Sequence, residues 1–474
     1  MLFNSVAFAV FLAIVLPLYY VLDHRWQNRM LLVASYVFYG WWDWRFLFLL
    51  WFSTIVDYTV ARRMGALRED RKRRRLMWLS VGLNLCYLGF FKYFNFFADS
   101  ARTGLEFFGL HADFFTLRVL LPIGISFYTF QSISYIVDVY RNDREHTNDF
   151  VGFALYLAYF PHLVAGPIQR STQLLPQLLA PRRVEAEQIK RGLVLMLVGF
   201  FKKVAIADAV GPTVDLIFSR PDHQSSAALL IGLYLFAIQI YADFSGYTDI
   251  ARGVSRLMGI ELRLNFRQPY LSANITEFWR RWHMSLSEWL RDYLYIPLGG
   301  NRRGARRTYL NLFITMFLGG LWHGAAWTFV AWGSLHGMYL AIHKQMLHAR
   351  KAVDGLDLLR RGRRVRFAVG VVVTFHLVCL AWIFFRARTF RDAWAYVAGL
   401  ASLRGPLPSS FLVLMVYSAF LMLLVDIPSW LHNEELPVKA EWPALSRGLA
   451  YGMMLGILFW VGSPHGAPFI YFQF

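Results

Sequence analysis

The sequence predicts an all-α integral membrane protein that crosses the bilayer many times, and three observations carry that prediction. Of its 474 residues, 57% are hydrophobic and 17% charged, with a mean hydropathy of +0.39, whereas soluble globular chains are about 25% charged. Apolar stretches recur from Leu2 to Phe474. One of them, Tyr309–His343, runs for thirty-five residues without Asp, Glu, Lys or Arg, and a spanning helix needs only about 20. The net charge of +19 comes from 49 Lys+Arg against 30 Asp+Glu. In a soluble chain that excess would point to nucleic acid. Here the basic residues cluster between apolar segments, as the positive-inside rule requires, so no nucleic-acid partner is expected. Cys86 and Cys379 lie in apolar stretches and offer neither a disulfide framework nor a thiol metal site.

In chain order, Leu2–Leu22 is a retained first span, since no basic residue precedes it and no small-residue cleavage site follows. Met30–Val60 is interrupted by Trp41-Trp42-Asp43-Trp44-Arg45, a turn placed at the headgroup level by its tryptophans. Arg62–Arg75 carries eight Lys/Arg and anchors a cytoplasmic loop, which puts the N-terminus outside. Leu76–Phe97 leads outward to an external loop, Ala98–Phe114. Pro122 and Gly124 predict a kinked or broken helix within Leu120–Val137. Tyr159–Gln169, with Pro161, His162, Gly166 and Pro167, is too broken for an ordinary span and reads as re-entrant. Lys202-Lys203 are expected near the end of a span that starts at Gly192. Asp243 and Asp249 sit in a membrane-rich context where a charge costs about 2.5–3.5 kcal/mol at bilayer centre. They therefore require a polar cavity, a basic side chain or the interface.

Glu277–Tyr295 is amphipathic at helical spacing: Phe278, Trp279, Trp282, His283, Leu286 and Trp289 share one face, and Glu277, Arg280, Arg281, Glu288 and Arg291 the other. The region 277–307 thus reads as an interfacial Trp/Arg-rich helix and loop. The loop supplies Arg302, Arg303, Arg306 and Arg307. The core stretch 309–343 follows, with glycines 319, 320, 324 and 333 where chain bends or close backbone approach are expected. Lys344–Arg366 is a second loop with eight Lys/Arg, and Phe367–Phe385, Phe411–Val425 and Leu449–Val461 are the last apolar segments. No internal repeat and no separate soluble domain is apparent, so residues 1–474 read as a single membrane domain.

There is no nucleophile elbow, no HExxH and no phosphate-cradling Gly-Lys-Ser/Thr loop, and no histidine spacing that specifies a metal. What remains is His323 in the uncharged stretch and His283 on the apolar face forty residues before it. Each has two readings: a buried structural imidazole, or a neutral base that takes a proton from an attacking hydroxyl without leaving a permanent charge in the membrane.

These residues carry a resemblance. The runs Pro122–Tyr128, His162–Ile168, Tyr241–Tyr247, Phe278–Ser287, Leu321-Trp322-His323-Gly324 and the aromatic tail Phe469–Phe474, in that order, resemble the membrane-bound O-acyltransferase (MBOAT) family, in its alginate O-acetylation branch. The resemblance implies a ring of about 11–13 spanning or re-entrant helices around a central tunnel in the bacterial inner membrane. It also implies O-acetyl transfer from acetyl-CoA to an extracytoplasmic polysaccharide, aided by an extracytoplasmic acetyltransferase partner, with no bound cofactor. It places the catalytic histidine on His323 and the second motif histidine on His283. Asp243, Trp282 and Trp322 would support the cavity. Beyond the resemblance, Arg302, Arg303, Arg306 and Arg307 have two readings: contacts for the donor's phosphates, or a cytoplasmic topology signal alone. The tail 469–474 resembles a partner peptide of related systems whose tyrosine is proposed to receive the acyl group. On that basis Tyr471 is a candidate acyl relay; its alternative is an interfacial aromatic anchor. Outside the resemblance, a multi-pass transporter or a scaffold of a polysaccharide-export complex remains a competing reading.

Overall fold

A computed structural model describes residues 1–110, 118–353, 363–439, 441–462, 469 and 470. All of its regular structure among these residues is helical. Two compact units are formed, one from Met1–Leu193 with Ala251–Arg263, the other from Val194–Ile250 with Leu264–Phe474.

The first unit begins with α1 (Val6–Val21), α2 (His24–Asp43) and α3 (Leu47–Ala66). Ser5 caps α1 by accepting from the Phe8 N–H, and Asp23 caps α2 through Trp26. The expected aromatic turn is a 3-10 turn at Trp44–Phe46. The basic Arg62–Arg75 stretch is mostly helical, because α4 (Asp70–Phe107) starts three residues after α3 ends. Lys and Arg are good helix formers, and no proline interrupts them. α4 also continues through most of the expected outer loop, to Phe107; residues 111–114 of that loop lie outside the described residues. α5 (Ile125–Arg141) is not kinked within: Pro122 and Gly124 precede it, and Gly124 (φ 79°) forms its left-handed entry. A Cβ there would meet the Leu163 carbonyl at 2.8 Å. α6 (Phe150–Ala158), the one-turn α7 (Phe160–Leu163) and α8 (Ser171–Leu179) follow in the same unit. His162, on α7, is buried and hydrogen-bonded to Gln131 Nε2 at 2.9 Å. The carboxylate of Asp57 is buried where α3, α4 and α5 meet, and accepts from Ser53, Ser80, Asn84 and Ser132.

Into the second unit run α9 (Ala186–Phe200), a π-helical stretch Phe201–Asp208, α10 (Ala209–Ser219) and α11 (Ser226–Leu257). Lys202 and Lys203 are therefore mid-helix, not near a span's end. The helix tolerates them because Lys202 pairs with Asp249 at 2.8 Å, and Lys203 with Asp243 at 2.9 Å and Asp208 at 2.8 Å. Gly199 and Gly246 let the two helices touch: a Cβ on either would meet the other's carbonyl oxygen at 2.7 Å.

The expected amphipathic helix is two short ones, α12 (Ile275–Arg281) and α13 (Met284–Leu290), broken at Trp282-His283 and followed by a π-turn, Arg291–Tyr295. α14 (Gly304–His323) and α15 (Trp327–Val353) divide the uncharged stretch at Gly324. Their backbones meet where a Cβ on Gly320 would lie 2.3 Å from the Phe329 oxygen and one on Gly333 2.3 Å from that of Met316. α16 (Arg363–Arg386) and α17 (Phe390–Ala401) come next. The latter was not anticipated; a Thr389/Asp392 capping box starts it. α18 (Ser409–His432) and α19 (Ala444–Val461) close the series. Among the described residues four helices are long and apolar enough to cross a membrane: Ser226–Leu257, Arg364–Arg386, Ser409–His432 and Ala444–Val461.

Candidate active site

The break between α12 and α13 has no glycine or proline to cause it. It is made by the segment around Asn265. The Arg267 N–H donates to the Arg281 carbonyl at 2.9 Å and the Met284 N–H to the Asn265 carbonyl at 2.9 Å. Asn265 Oδ1 accepts from the Ser285 N–H (3.3 Å) and the Ser285 hydroxyl (2.9 Å). Bonds that would continue one helix are replaced by bonds to this segment. His283 is left at φ 42°, a left-handed conformation that costs a non-glycine residue about 1–2 kcal/mol. Strain of this kind persists only where the surroundings over-determine it.

The same Asn265 Oδ1 faces His283 Nδ1 at 3.1 Å. A backbone N–H can only donate, so the atom bonded to Ser285 N is the amide oxygen, and His283 Nδ1 must carry the proton. The imidazole is thereby held as the tautomer with its lone pair on Nε2. His283 is fully buried and lies outside the four long apolar helices. Burial pushes its pKa down to about 3, which keeps it neutral near neutral pH.

His323 ends α14, and Gly324 lets the chain turn away behind it: a Cβ there would collide with the Phe329 ring at 2.1 Å. The His323 and His283 rings are 6.4 Å apart. Trp322 lies beside both, at 4.8 Å from His323 and 6.0 Å from His283. Trp332 (4.9 Å) and Phe385 (5.4 Å) pack on the His323 ring. Trp282 is fully buried one layer behind, against Phe278, Phe266 and Trp382. The result is two buried imidazoles in an aromatic box, a low-dielectric setting in which a proton acceptor and an aligned dipole act strongly.

Other predicted residues fall elsewhere. Asp243 is not in the histidine box; its neighbour Phe244 is, 4.7 Å from His283, while Asp243 itself binds Lys203 and the N–H of Ile470. Arg302, Arg303 and Arg306 are exposed and Arg307 is half-buried, all at the opposite end of α14 from His323, about 25 Å away at 1.5 Å per residue. Tyr471 lies outside the described residues. A polar cavity of about 260 Å³ is present, but it is lined by Lys202, Tyr241, Asp249, Arg267, Asp426 and Ser429 rather than by the histidines. Sequence reasoning missed Asn265, Trp332 and His336. The last accepts from Trp279 Nε1 at 3.3 Å and meets Trp332 edge-on, ring centres 4.8 Å apart. The α-helical spacing of Trp332 and His336 could have flagged their shared face. Nothing local marks Asn265, whose role depends on residues eighteen to twenty positions away.

A helical chain with membrane-spanning helices and two buried histidines in an aromatic box has the features of a membrane protein with a candidate active site. The sequence model of MBOAT, the membrane-bound O-acyltransferase family, matches residues 140–385, which include both histidines. The chain is 45% identical over 396 residues to "Probable alginate O-acetylase AlgI" of Pseudomonas aeruginosa, covering 83% of this chain and 74% of that protein. It is 40% identical to the protein of the same name from Pseudomonas putida over 500 aligned positions, covering all of both chains. It is 35% identical to "Peptidoglycan O-acetyltransferase" of Helicobacter pylori, over 85% of this chain and 80% of that one. The chain belongs to the membrane-bound O-acyltransferase family and is an O-acyltransferase. The transporter and scaffold readings give way to that membership.

Proposed function

We propose that this protein moves acetyl groups from cytoplasmic acetyl-CoA to an extracytoplasmic polysaccharide, an alginate-like polymer being the acceptor that the names of its relatives favour. The observation that carries the reading is the His283–His323 pair, 6.4 Å apart in a buried aromatic box, within the stretch that matches an acyltransferase family. His323 acts as the base: it takes the proton of an acceptor hydroxyl, the oxygen attacks the thioester carbonyl, the C–S bond breaks, and the proton passes to the departing thiolate to give CoA. His283, held in one tautomer by Asn265, orients the reacting group from the other side of Trp322, with Trp282 packed behind it. Arg302, Arg303, Arg306 and Arg307 contact the donor's phosphates at the far end of α14. The first acceptor is the Tyr471 hydroxyl. A partner transferase outside the membrane then passes the acetyl from the tyrosyl ester to the polymer, restoring the phenol. The protein works in the inner membrane with its N-terminus outside.

The test supplies labelled acetyl-CoA to the purified protein in liposomes and compares wild type with folded His323→Ala and Tyr471→Phe. Wild type releases CoA and gains label. His323→Ala loses both by about 10²-fold or more, the scale of a missing general base. Tyr471→Phe keeps its fold and loses the label. Undiminished labelling in Tyr471→Phe sinks the relay; no turnover by wild type with its partner transferase present sinks the acetyl-CoA assignment.

A further inference from the structure

The Phe469–Ile470 segment is held by a buried ion pair. Phe469 and Ile470 are each about 1% exposed. The Ile470 N–H donates to Asp243 Oδ2 at 2.7 Å, while Asp243 Oδ1 faces Lys203 Nζ at 2.9 Å. The Phe469 ring packs on Tyr247 at 4.7 Å and Phe244 at 5.5 Å, and Phe244 is itself against His283. Asp243, Phe244 and Tyr247 occupy one turn of α11. That turn therefore offers a charge-assisted acceptor for a backbone N–H and, beside it, an aromatic seat that adjoins the histidine box.

We infer that the Lys203–Asp243 pair and the Phe244/Tyr247 seat form a docking site for the chain's own Phe469–Ile470 segment, which holds the tail beside the histidine box. The inference rests on the acyl-tyrosine reading for its consequence, not for its existence. A side-chain hook would fix only one residue's tip; a bond to the backbone N–H fixes where the chain passes. The carboxylate is suited to this because Lys203 Nζ, 2.9 Å away, occupies one of its oxygens and leaves the second to accept from the tail. Asp243 is accordingly a positioning residue that acts through the tail.

Hydrogen exchange at the Ile470 amide, followed by mass spectrometry of the full-length protein, tests this directly. Wild type protects that amide. Asp243→Ala speeds its exchange by about 10- to 100-fold, the equivalent of one lost charge-assisted bond, and Asp243→Asn, which keeps an acceptor oxygen, falls between. Ile470→Pro removes the donor and leaves the buried ion pair untouched, so it serves if Asp243→Ala fails to fold. With its melting temperature unchanged, its Phe469 amide exchanges faster than that of wild type, in which Phe469 is buried. Equal Ile470 exchange in wild type and a folded Asp243→Ala, or equal Phe469 exchange in wild type and Ile470→Pro, overturns the docking site. Neither readout involves acyl chemistry. A protected tail with no acyl-tyrosine would leave the docking standing and remove the relay alone.

Discussion

His283 is neutral by burial and oriented by one amide oxygen. Its folded pKa is about 3, below the ordinary histidine value of about 6.5. Between those values the unfolded chain binds a proton that the native site refuses, so this residue's contribution is complete above pH 6.5 and is lost as pH falls. The slope is about 1.4 kcal/mol per pH unit. Melting temperatures of wild type and His283→Gln should therefore converge, or cross, on acidification from pH 7 to 5; a constant difference would show that the imidazole is not held neutral. The same neutrality is what the proposed mechanism requires, since a protonated His283 would place a net charge beside Trp322.

At the scale of elements, the pairing of α14 and α15 depends on backbone contact rather than side-chain interdigitation. In a membrane, helices gain little from hydrophobic burial against one another, and small residues that admit close approach take over. Gly320 and Gly333 face each other's helix with no room for a Cβ, and Gly337, not singled out in the sequence, would meet Phe313 Cα at 2.9 Å. Gly320→Val should cost about 1–3 kcal/mol, in line with overpacking of a tight core, and displace His323 three residues on. Gly448→Val is the control, because nothing lies within 4 Å of a Cβ there. The check is detergent thermostability with acyltransferase activity: Gly320→Val loses both, and Gly448→Val keeps both.

For the whole molecule, charge distribution governs orientation. The basic stretch that begins at Arg62 is divided between two helix ends, leaving only Leu67–Glu69 as connection, yet its eight Lys/Arg still favour the cytoplasmic side. In a protein lacking Cys86 and Cys379, an impermeant thiol reagent should label Leu67→Cys only in inverted vesicles and Ser5→Cys only in right-side-out ones. The reverse pattern would turn the proposed orientation over, and with it the side from which the donor arrives.

The sequence by itself determined the class: apolar runs of spanning length, basic clusters between them, and a histidine in a charge-free stretch are properties of composition and local order. It also showed that Asp243 and Asp249 need partners, because an unpaired charge in an apolar setting is costly wherever it sits. Only the tertiary structure decided what those partners are, since Lys202 and Lys203 lie forty residues and more upstream of the carboxylates they meet. The break at His283 was illegible for a related reason. Helical periodicity continues through Trp282-His283, and it is overridden by the Met284 and Ser285 N–H groups donating to Asn265 and by Arg267 donating to the Arg281 carbonyl. Local pattern sets which face is apolar; bonds between distant segments set where that face is interrupted, and here the interruption orients the imidazole.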